Sequence, residues 1–213
     1  MAILLVIVGK LAKAHLKKSV GDVVMFSRNQ FILDCLNAAQ DGEEAIKEIV
    51  AEAVSDPSKV VAALGEQEHA GIYPLYQSPD LTIINFTWAP YMSLMPHNHQ
   101  MFSVVGIYSG REDNIFWQRN ERNIEAIGAK SLGAGGVVIL DKTAIHSVLN
   151  PIGKMTGAIH VYGGDFFSPI EPRREWDHET LVERPWDVER VKSIFRDAEE
   201  RFLFSSKSKA LSI

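Results

Sequence analysis

The sequence predicts a mainly β protein whose barrel-like core is flanked by helices on both sides along the chain. After Gly71, short runs rich in Val, Ile, Phe and Tyr alternate with Gly, Pro, Asn and Asp, which is typical of antiparallel strands and turns. Before that point, and again near the end of the chain, apolar residues recur at helical spacing. Four of the seven histidines lie in three of the β-rich runs, which indicates a metal site inside the barrel.

The chain of 213 residues is long enough for one domain with a substantial core. We therefore predict a single domain, residues 1–213, in three parts. Residues 1–70 form an N-terminal extension and helices, residues 71–167 form the β-barrel core, and residues 168–213 form a C-terminal segment with a helix.

The helical part is predicted from Asn29 to about Gly65, with a break at Asp41-Gly42. A second break at Asp56-Pro57-Ser58 predicts a third helix, with Ser58 as its cap. A further amphipathic helix is expected from about Trp186 to Phe204.

The barrel is predicted to contain eight strands of short and regular length. Gly-rich and Pro-containing breaks between them supply the turns. The predicted strands are Leu81–Trp88, Tyr91–Met95, Met101–Tyr108, Asn114–Arg119, Ala126–Leu132, Val137–Leu140, His146–Leu149 and Gly157–Tyr162.

Composition argues against several classes of partner. The net charge of -5, without a Lys/Arg cluster interleaved with aromatics, argues against nucleic acid. The apolar run Ala2–Val8 is far shorter than a membrane span and follows no cationic residue, so we expect a strand, a helix or a loosely docked extension and no membrane partner. The single cysteine, Cys35, permits no intramolecular disulfide; we expect it to pack in the core of a protein in a reducing, cytoplasmic compartment.

The pair His97 and His99 is the first candidate for metal binding. Residues two apart on a strand share a face, so both imidazoles could bind one ion. On spacing alone, two incidental histidines near a Pro turn are an equally good interpretation. His146, delivered by another β-run after the glycine turn at residues 133–136, supplies the third ligand of a facial set, and neutral imidazoles suit Fe, Zn, Cu or Ni.

At this point the sequence resembles the cupin superfamily, whose fold is a double-stranded β-helix, or jelly-roll barrel. His97-Asn98-His99 resembles the His-x-His of the first cupin motif, although the Glu that usually follows is missing. The second motif, a Gly-rich turn leading to His and then Asn four residues later, is matched by Gly133 to Asn150. The absent Glu narrows the resemblance to cupins with three histidine ligands.

Among these, the chain is most similar to thiol dioxygenases of the cysteine dioxygenase type, especially bacterial members acting on 3-mercaptopropionate or cysteine. The segments Ile145–Asn150 and Ala158–Gly163 carry this resemblance. It implies Fe(II) bound by His97, His99 and His146, with His160 and Tyr162 as catalytic residues. It also implies oxidation of a small thiol by O₂ to the sulfinic acid, by a monomer or a small homo-oligomer.

The chain departs from the family at three places. Ala158 replaces the family's Ser, so another group must set the tautomer of His160. No cysteine follows His99, so the Cys-Tyr crosslink of animal members cannot form; Ser103 and Val104 lie in that region. The arginine that would bind the substrate carboxylate is also displaced: Arg173 and Arg174 are the candidates, and Arg111 and Arg119 are weaker ones.

Two other functions stay open at this level. One is a cupin metalloenzyme of another class, such as an isomerase or a dioxygenase acting on a non-thiol substrate. The other is a barrel that binds a metal or a small molecule without turnover.

Overall fold

The computed structural model describes residues 25–66, 68–121 and 123–210. The apolar run Ala2–Val8 lies outside them. From residue 25 onward, three helices precede the strands: α1 (Arg28–Ala38), followed by a 3₁₀ turn, α2 (Glu43–Val54) and α3 (Pro57–Leu64). Gly42, with φ of 94°, makes the predicted break before α2, because this backbone region is favourable only for glycine.

In the described part of the chain, eleven strands and a long C-terminal helix follow. The helix, α4, spans Val188–Ala210. The strands are β1 (Gly71–Gln77), β2 (Thr82–Trp88), β3 (Ser93–Asn98), β4 (Ser103–Ser109), β5 (Arg111–Arg119), β6 (Ile124–Gly133), β7 (Val137–Leu140), β8 (Ile145–Leu149), β9 (Thr156–Tyr162), β10 (Arg174–Trp176) and β11 (Glu183–Pro185).

The strands form two antiparallel sheets that face each other. The five-stranded sheet has the order β1-β2-β9-β4-β7, and the six-stranded sheet has the order β11-β10-β3-β8-β5-β6. Consecutive strands often lie in different sheets, as in a double-stranded β-helix. The predicted double-stranded β-helix, or jelly-roll barrel, with N-terminal helices and a C-terminal helix is confirmed.

The five-stranded sheet is covered on both faces, which explains why β2 and β9 are buried along their whole length. On its outer face, Ile83 and Val161 pack against α2 through Val50 and Val54. Gly106 on β4 permits this approach, because a Cβ atom there would lie 2.4 Å from Val50 Cγ1.

The inner face of the same sheet carries the aromatic and polar residues of the barrel. Alternation along β9 turns Ala158, His160 and Tyr162 inward. Helix α4 packs on the aromatic part of this interior: the ring centroid of Phe195 lies 5.3 Å from that of Trp88, and Val191 joins the same cluster.

Cys35 is fully buried between α1, α2 and the outer face of the sheet. Burial raises the pKa of its thiol to about 12, so it packs as a small apolar side chain. No helix in the described part of the chain combines the length and the apolar character needed to cross a membrane.

Some predicted boundaries are wrong. Helix α3 begins at Pro57 with Asp56 as its N-cap residue, and Ser58 lies inside the helix, where its hydroxyl donates to Asp56 Oδ1 at 2.6 Å. Proline is well suited to the first helical position, because its fixed φ is already helical. Strand β3 begins at Ser93 and not at Tyr91, since Tyr91 has φ of 58° in the preceding turn.

Three strands were not predicted. Strand β1 contains Pro74 and is largely half-exposed, so its pattern is weak. Strands β10 and β11 have three residues each and lie in the Pro-broken segment that follows the barrel. They extend the second sheet beside β3, where Glu175 of β10 pairs with His97.

Candidate metal centre

Three buried imidazoles meet inside the barrel. His97 lies on β3, His99 follows directly after that strand, and His146 lies on β8. The antiparallel register pairs His97 with His146. The Nε2 atom of His99 lies 3.2 Å from Nε2 of His97 and 3.2 Å from Nε2 of His146. The three residues are 1 to 4% exposed, and one donor atom from each falls within 4.8 Å of the others.

The other ring nitrogen of each histidine is held by a separate group. Nδ1 of His97 donates to the carbonyl oxygen of Met95 at 2.9 Å, and Nδ1 of His146 donates to Asn114 Oδ1 at 2.7 Å. Nδ1 of His99 lies 3.3 Å from the Ser103 hydroxyl. A proton on Nδ1 leaves a lone pair on Nε2, so the oxygen acceptors of His97 and His146 prepare Nε2 of these two rings as ligands, and the Ser103 hydroxyl can accept from Nδ1 of His99 in the same way.

The donor set fits a first-row divalent ion. Ligands at the usual metal–nitrogen distance of ~2.1 Å that are 3.2 Å apart subtend about 100° at the metal. One ion bound to His99 can therefore also bind His97 and His146, and three protein ligands leave further coordination positions open. Glu175, the carboxylate on the strand next to His97, is held by Arg190 and by the backbone N–H of Asp187, away from this role.

Burial keeps the three imidazoles neutral. Loss of hydration lowers the pKa of His97 to about 4 and lowers the pKa values of His99 and His146 well below their usual range. The positive charge of Arg173 lowers the pKa of His97 and of His99 further. At neutral pH a metal ion therefore displaces no proton from these ligands.

His160 and Tyr162 lie beside the cluster. Nδ1 of His160 is 3.0 Å from the Tyr162 hydroxyl oxygen, and the Tyr162 ring lies edge to face with His99 at a centroid distance of 5.1 Å. Burial raises the pKa of Tyr162, so its hydroxyl stays protonated. Both side chains line the same small cavity of about 20 Å³ as the three histidines.

Arg173 and Arg174 have different surroundings, although they are adjacent in sequence. Arg173 is 7% exposed, with its guanidinium carbon 4.3 Å from the Phe166 ring centroid and 4.4 Å from that of Trp186. Its Nε and Nη1 atoms are buried and have no hydrogen-bond partner among the described residues. Burial lowers its pKa to about 10, so it stays cationic at neutral pH.

Arg174, in contrast, extends to the surface. Its side chain is 41% exposed and lies 3.4 Å from Glu183. The two weaker candidates are also paired with carboxylates at the surface: Arg111 with Asp113 at 2.8 Å, and Arg119 with Glu183. Of these four arginines, Arg173 alone is packed into the rings that border the cluster.

Glu112 and Asn114 were not identified from the sequence. They lie two apart on β5, both fully buried, and Asn114 Nδ2 donates to Glu112 Oε1 at 2.9 Å. The strand predicted from sequence begins at Asn114 and does not include Glu112. The alternation Glu-x-Asn next to the Gly110 turn is the signal that could have identified them, because it places both polar side chains on the face that Phe116 also uses.

No protein-family model matches the sequence, and no curated protein does either. A conserved Klebsiella pneumoniae protein with a double-stranded β-helix domain is 10% identical, with a TM-score of 0.37 over 57% of this chain and 88% of that one. An RmlC-like cupin family protein from Methanocaldococcus jannaschii is 9% identical, with a TM-score of 0.39 over 48% of this chain and 88% of that one.

Peruvianin-I, a cysteine peptidase from Thevetia peruviana latex, is 19% identical, with a TM-score of 0.35 over 40% of this chain. The aligned part spans 51% of that protein. At these identities the likeness concerns the fold alone.

The lowered histidine pKa values predict that the metal-free protein loses stability in acid. Between pH 6.5 and about pH 4, these histidines become protonated in the unfolded chain but stay neutral in the folded protein. The free energy of unfolding therefore falls as pH falls through this range. Each histidine contributes a slope of up to about 1.4 kcal/mol per pH unit. Urea unfolding between pH 7.5 and 4.5 measures it.

A matched pair of variants isolates the effect. His97→Gln should flatten the acid slope, whereas His69→Gln should not, because the exposed His69 pairs with Glu199 and has a raised pKa. Equal slopes in His97→Gln and the parent protein would contradict a neutral, buried His97.

Proposed function

We propose that the protein is an iron-dependent thiol dioxygenase that oxidises a small carboxylate-bearing thiol to its sulfinic acid. The observation that carries this proposal is a neutral three-imidazole cluster next to the buried, incompletely paired guanidinium of Arg173. With a divalent ion bound by three neutral imidazoles, the site carries positive charge, and no carboxylate is among its ligands. A molecule with both a thiolate and a carboxylate matches that charge pattern.

The reaction balances without an external reductant. A thiol and one O₂ give one sulfinic acid: the O–O bond breaks, two S–O bonds form, and sulfur loses four electrons, which O₂ gains. Iron, when bound by His97, His99 and His146, would supply open positions for the thiolate and O₂ and would mediate electron transfer between them.

Arg173 is proposed to bind the substrate carboxylate. Its planar guanidinium can form two parallel hydrogen bonds to a carboxylate, and the rings of Phe166 and Trp186 both pack against it. Phe166 also packs on Tyr162, with a centroid distance of 4.4 Å. The cation is thereby kept close to the cluster, where its charge acts on His97 and His99.

The pair of His160 and Tyr162 is proposed to hold a proton at the Tyr162 hydroxyl. Tyr162 stays protonated because it is buried, and its hydroxyl oxygen is within hydrogen-bonding distance of His160 Nδ1. A phenol held in this way can donate a hydrogen bond or a proton to negative charge that develops on oxygen during the reaction.

Two neighbouring cavities could admit a substrate to the three histidines. The inner one, about 20 Å³, has room for about one water-sized group, and an outer one of about 830 Å³ lies beneath α4 and is bordered by Arg173. Phe166, Trp186, Ile72 and Val191 line both. A three-carbon thiol needs more space than the inner cavity offers, so these side chains must move when it enters.

The charges around the cavities favour a thiol acid without an amino group. Among the described residues that line either cavity, none is Asp or Glu, whereas Arg173, Lys192 and Arg196 border the outer one. A substrate ammonium group would therefore meet cations and find no carboxylate. This supports 3-mercaptopropionate over cysteine, and either over cysteamine.

The activity is tested with an oxygen electrode. Iron-reconstituted protein should consume one O₂ per 3-mercaptopropionate and form the sulfinic acid, with a higher kcat/KM than for cysteine. The His97→Ala, His146→Ala double variant should lose both the iron and the uptake. The proposal would be refuted if iron-loaded protein took up no O₂ with 3-mercaptopropionate, cysteine or cysteamine. Unchanged O₂ uptake in the double variant would also refute it.

The role of Arg173 is tested against its neighbour. Arg173→Gln should raise KM for 3-mercaptopropionate by at least about tenfold, since a lost charge-assisted pair costs more than 1.4 kcal/mol. Cysteamine, which has no carboxylate, should be unaffected. Arg174→Gln is the matched control and should behave like the parent protein. Equal KM values in the two variants would exclude Arg173 as the carboxylate-binding residue.

A further inference from the structure

Glu112 occupies an unusual position for a carboxylate. It lies on β5 with no exposed surface, inside the barrel, and the structure gives it two polar side-chain neighbours. Oε1 accepts a hydrogen bond from Asn114 Nδ2 at 2.9 Å. Oε2 lies 3.6 Å from Nε2 of His160. Burial of a carboxylate is costly unless its oxygens are paired, so each neighbour matters for this group.

The contact between Glu112 and His160 is incomplete in a specific way. Oε2 of Glu112 and Nε2 of His160 are both buried, and neither has a hydrogen-bond partner among the described residues. At 3.6 Å they are about 0.6 Å beyond ordinary hydrogen-bond distance. Buried polar atoms are rarely left unpaired, and a small movement of either side chain would pair these two with each other.

We propose that Glu112 is a positioning residue that sets the tautomers of both His160 and the candidate metal ligand His146. It does so through two chains of hydrogen-bonding contacts, here called arms. One runs from Oε2 through His160 to Tyr162, and the other runs from Oε1 through Asn114 to His146. The proposal deepens the proposed function in one respect, the role of the Tyr162 hydroxyl, but the tautomers themselves do not depend on which reaction the protein catalyses.

The first arm runs from Glu112 to Tyr162. A carboxylate only accepts hydrogen bonds, so Nε2 of His160 must carry a proton to face it, and Nδ1 of His160 is then left with a lone pair. The Tyr162 hydroxyl, 3.0 Å away, therefore donates to Nδ1. In the opposite tautomer, the Nε2 lone pair would face the carboxylate at close range and be repelled. Glu112 thus sets the tautomer of His160, which Ala158 cannot do because it has no hydroxyl.

The second arm runs from Glu112 to the metal ligands. Because Glu112 Oε1 takes the Nδ2–H of Asn114, the Asn114 amide is fixed with Oδ1 toward His146, 2.7 Å from Nδ1. That carbonyl oxygen can only accept, so His146 is protonated on Nδ1 and presents the lone pair of Nε2 to the ion. A single side chain therefore orients one metal ligand and the hydrogen-bonding pair beside it.

The isosteric variant Glu112→Gln separates this role from simple packing. A glutamine has one oxygen and one NH₂ group, so it can accept from Asn114 or from His160, but not from both. If its NH₂ faces Asn114, that amide must flip and the His146 tautomer becomes wrong for metal binding. If its NH₂ faces His160, Nε2 must lose its proton and Nδ1 must gain one. The substitution should therefore change the tautomer of either His146 or His160.

The test uses the whole chain of 213 residues, loaded with Zn²⁺, which is diamagnetic, and labelled with ¹⁵N in its histidine rings. Ring ¹⁵N shifts should show His160 protonated on Nε2 and bare on Nδ1. In Glu112→Gln, either the His160 tautomer should reverse or the affinity for Zn²⁺ should fall by about tenfold or more. Glu125→Gln, on the neighbouring strand β6 with an exposed carboxylate, should change neither.

Two results would overturn the proposal. One is a His160 protonated on Nδ1 in the parent protein, a reading that needs no variant to fold. The other is a folded Glu112→Gln protein with both the parent tautomer and the parent Zn²⁺ affinity. Neither measurement uses a thiol or O₂. A failure of this proposal can therefore be distinguished from a failure of the proposed dioxygenase activity.

Discussion

The antiparallel pairing of β3 with β8 is the constraint from which the site follows. It sets His97 opposite His146, and the chain reversal after β3 brings His99 to the same point. The next pairing, of β8 with β5, adds Asn114 behind His146. A slip of one residue in either register would turn these side chains to the opposite face of the sheet, so the site depends on backbone pairing as much as on the identity of its residues.

The barrel interior carries polar groups that do not contribute to stability in the way an apolar core does. Glu112 and His160 each retain a buried atom without a hydrogen-bond partner among the described residues, and so does Arg173 beside the outer cavity. The opposite face of the five-stranded sheet is apolar: α1, α2 and α3 pack there over residues such as Ile83 and Ile159. The outer face of the five-stranded sheet therefore stabilises the fold, whereas its inner face carries His160 and Tyr162 of the candidate site.

Much of this arrangement could be predicted from sequence, because the pattern there is local. The alternation in the β-rich runs identified eight strands, and His-x-His on such a run predicted two imidazoles on one face. The choice between Arg173 and Arg174 could not be made, because it depends on β10, a three-residue strand whose pairing with β3 is a tertiary contact. Glu112 was missed because its partners are 2 and 48 residues away, and only the closed barrel brings His160 to it.

The most direct measurement is the anomalous scattering of iron in crystals of the Fe(II)-loaded protein. One peak is expected, at ~2.1 Å from Nε2 of each of His97, His99 and His146, with the carboxylates of Glu112 and Glu175 outside bonding distance. A peak elsewhere, or one bonded to a carboxylate, would contradict a neutral three-histidine centre.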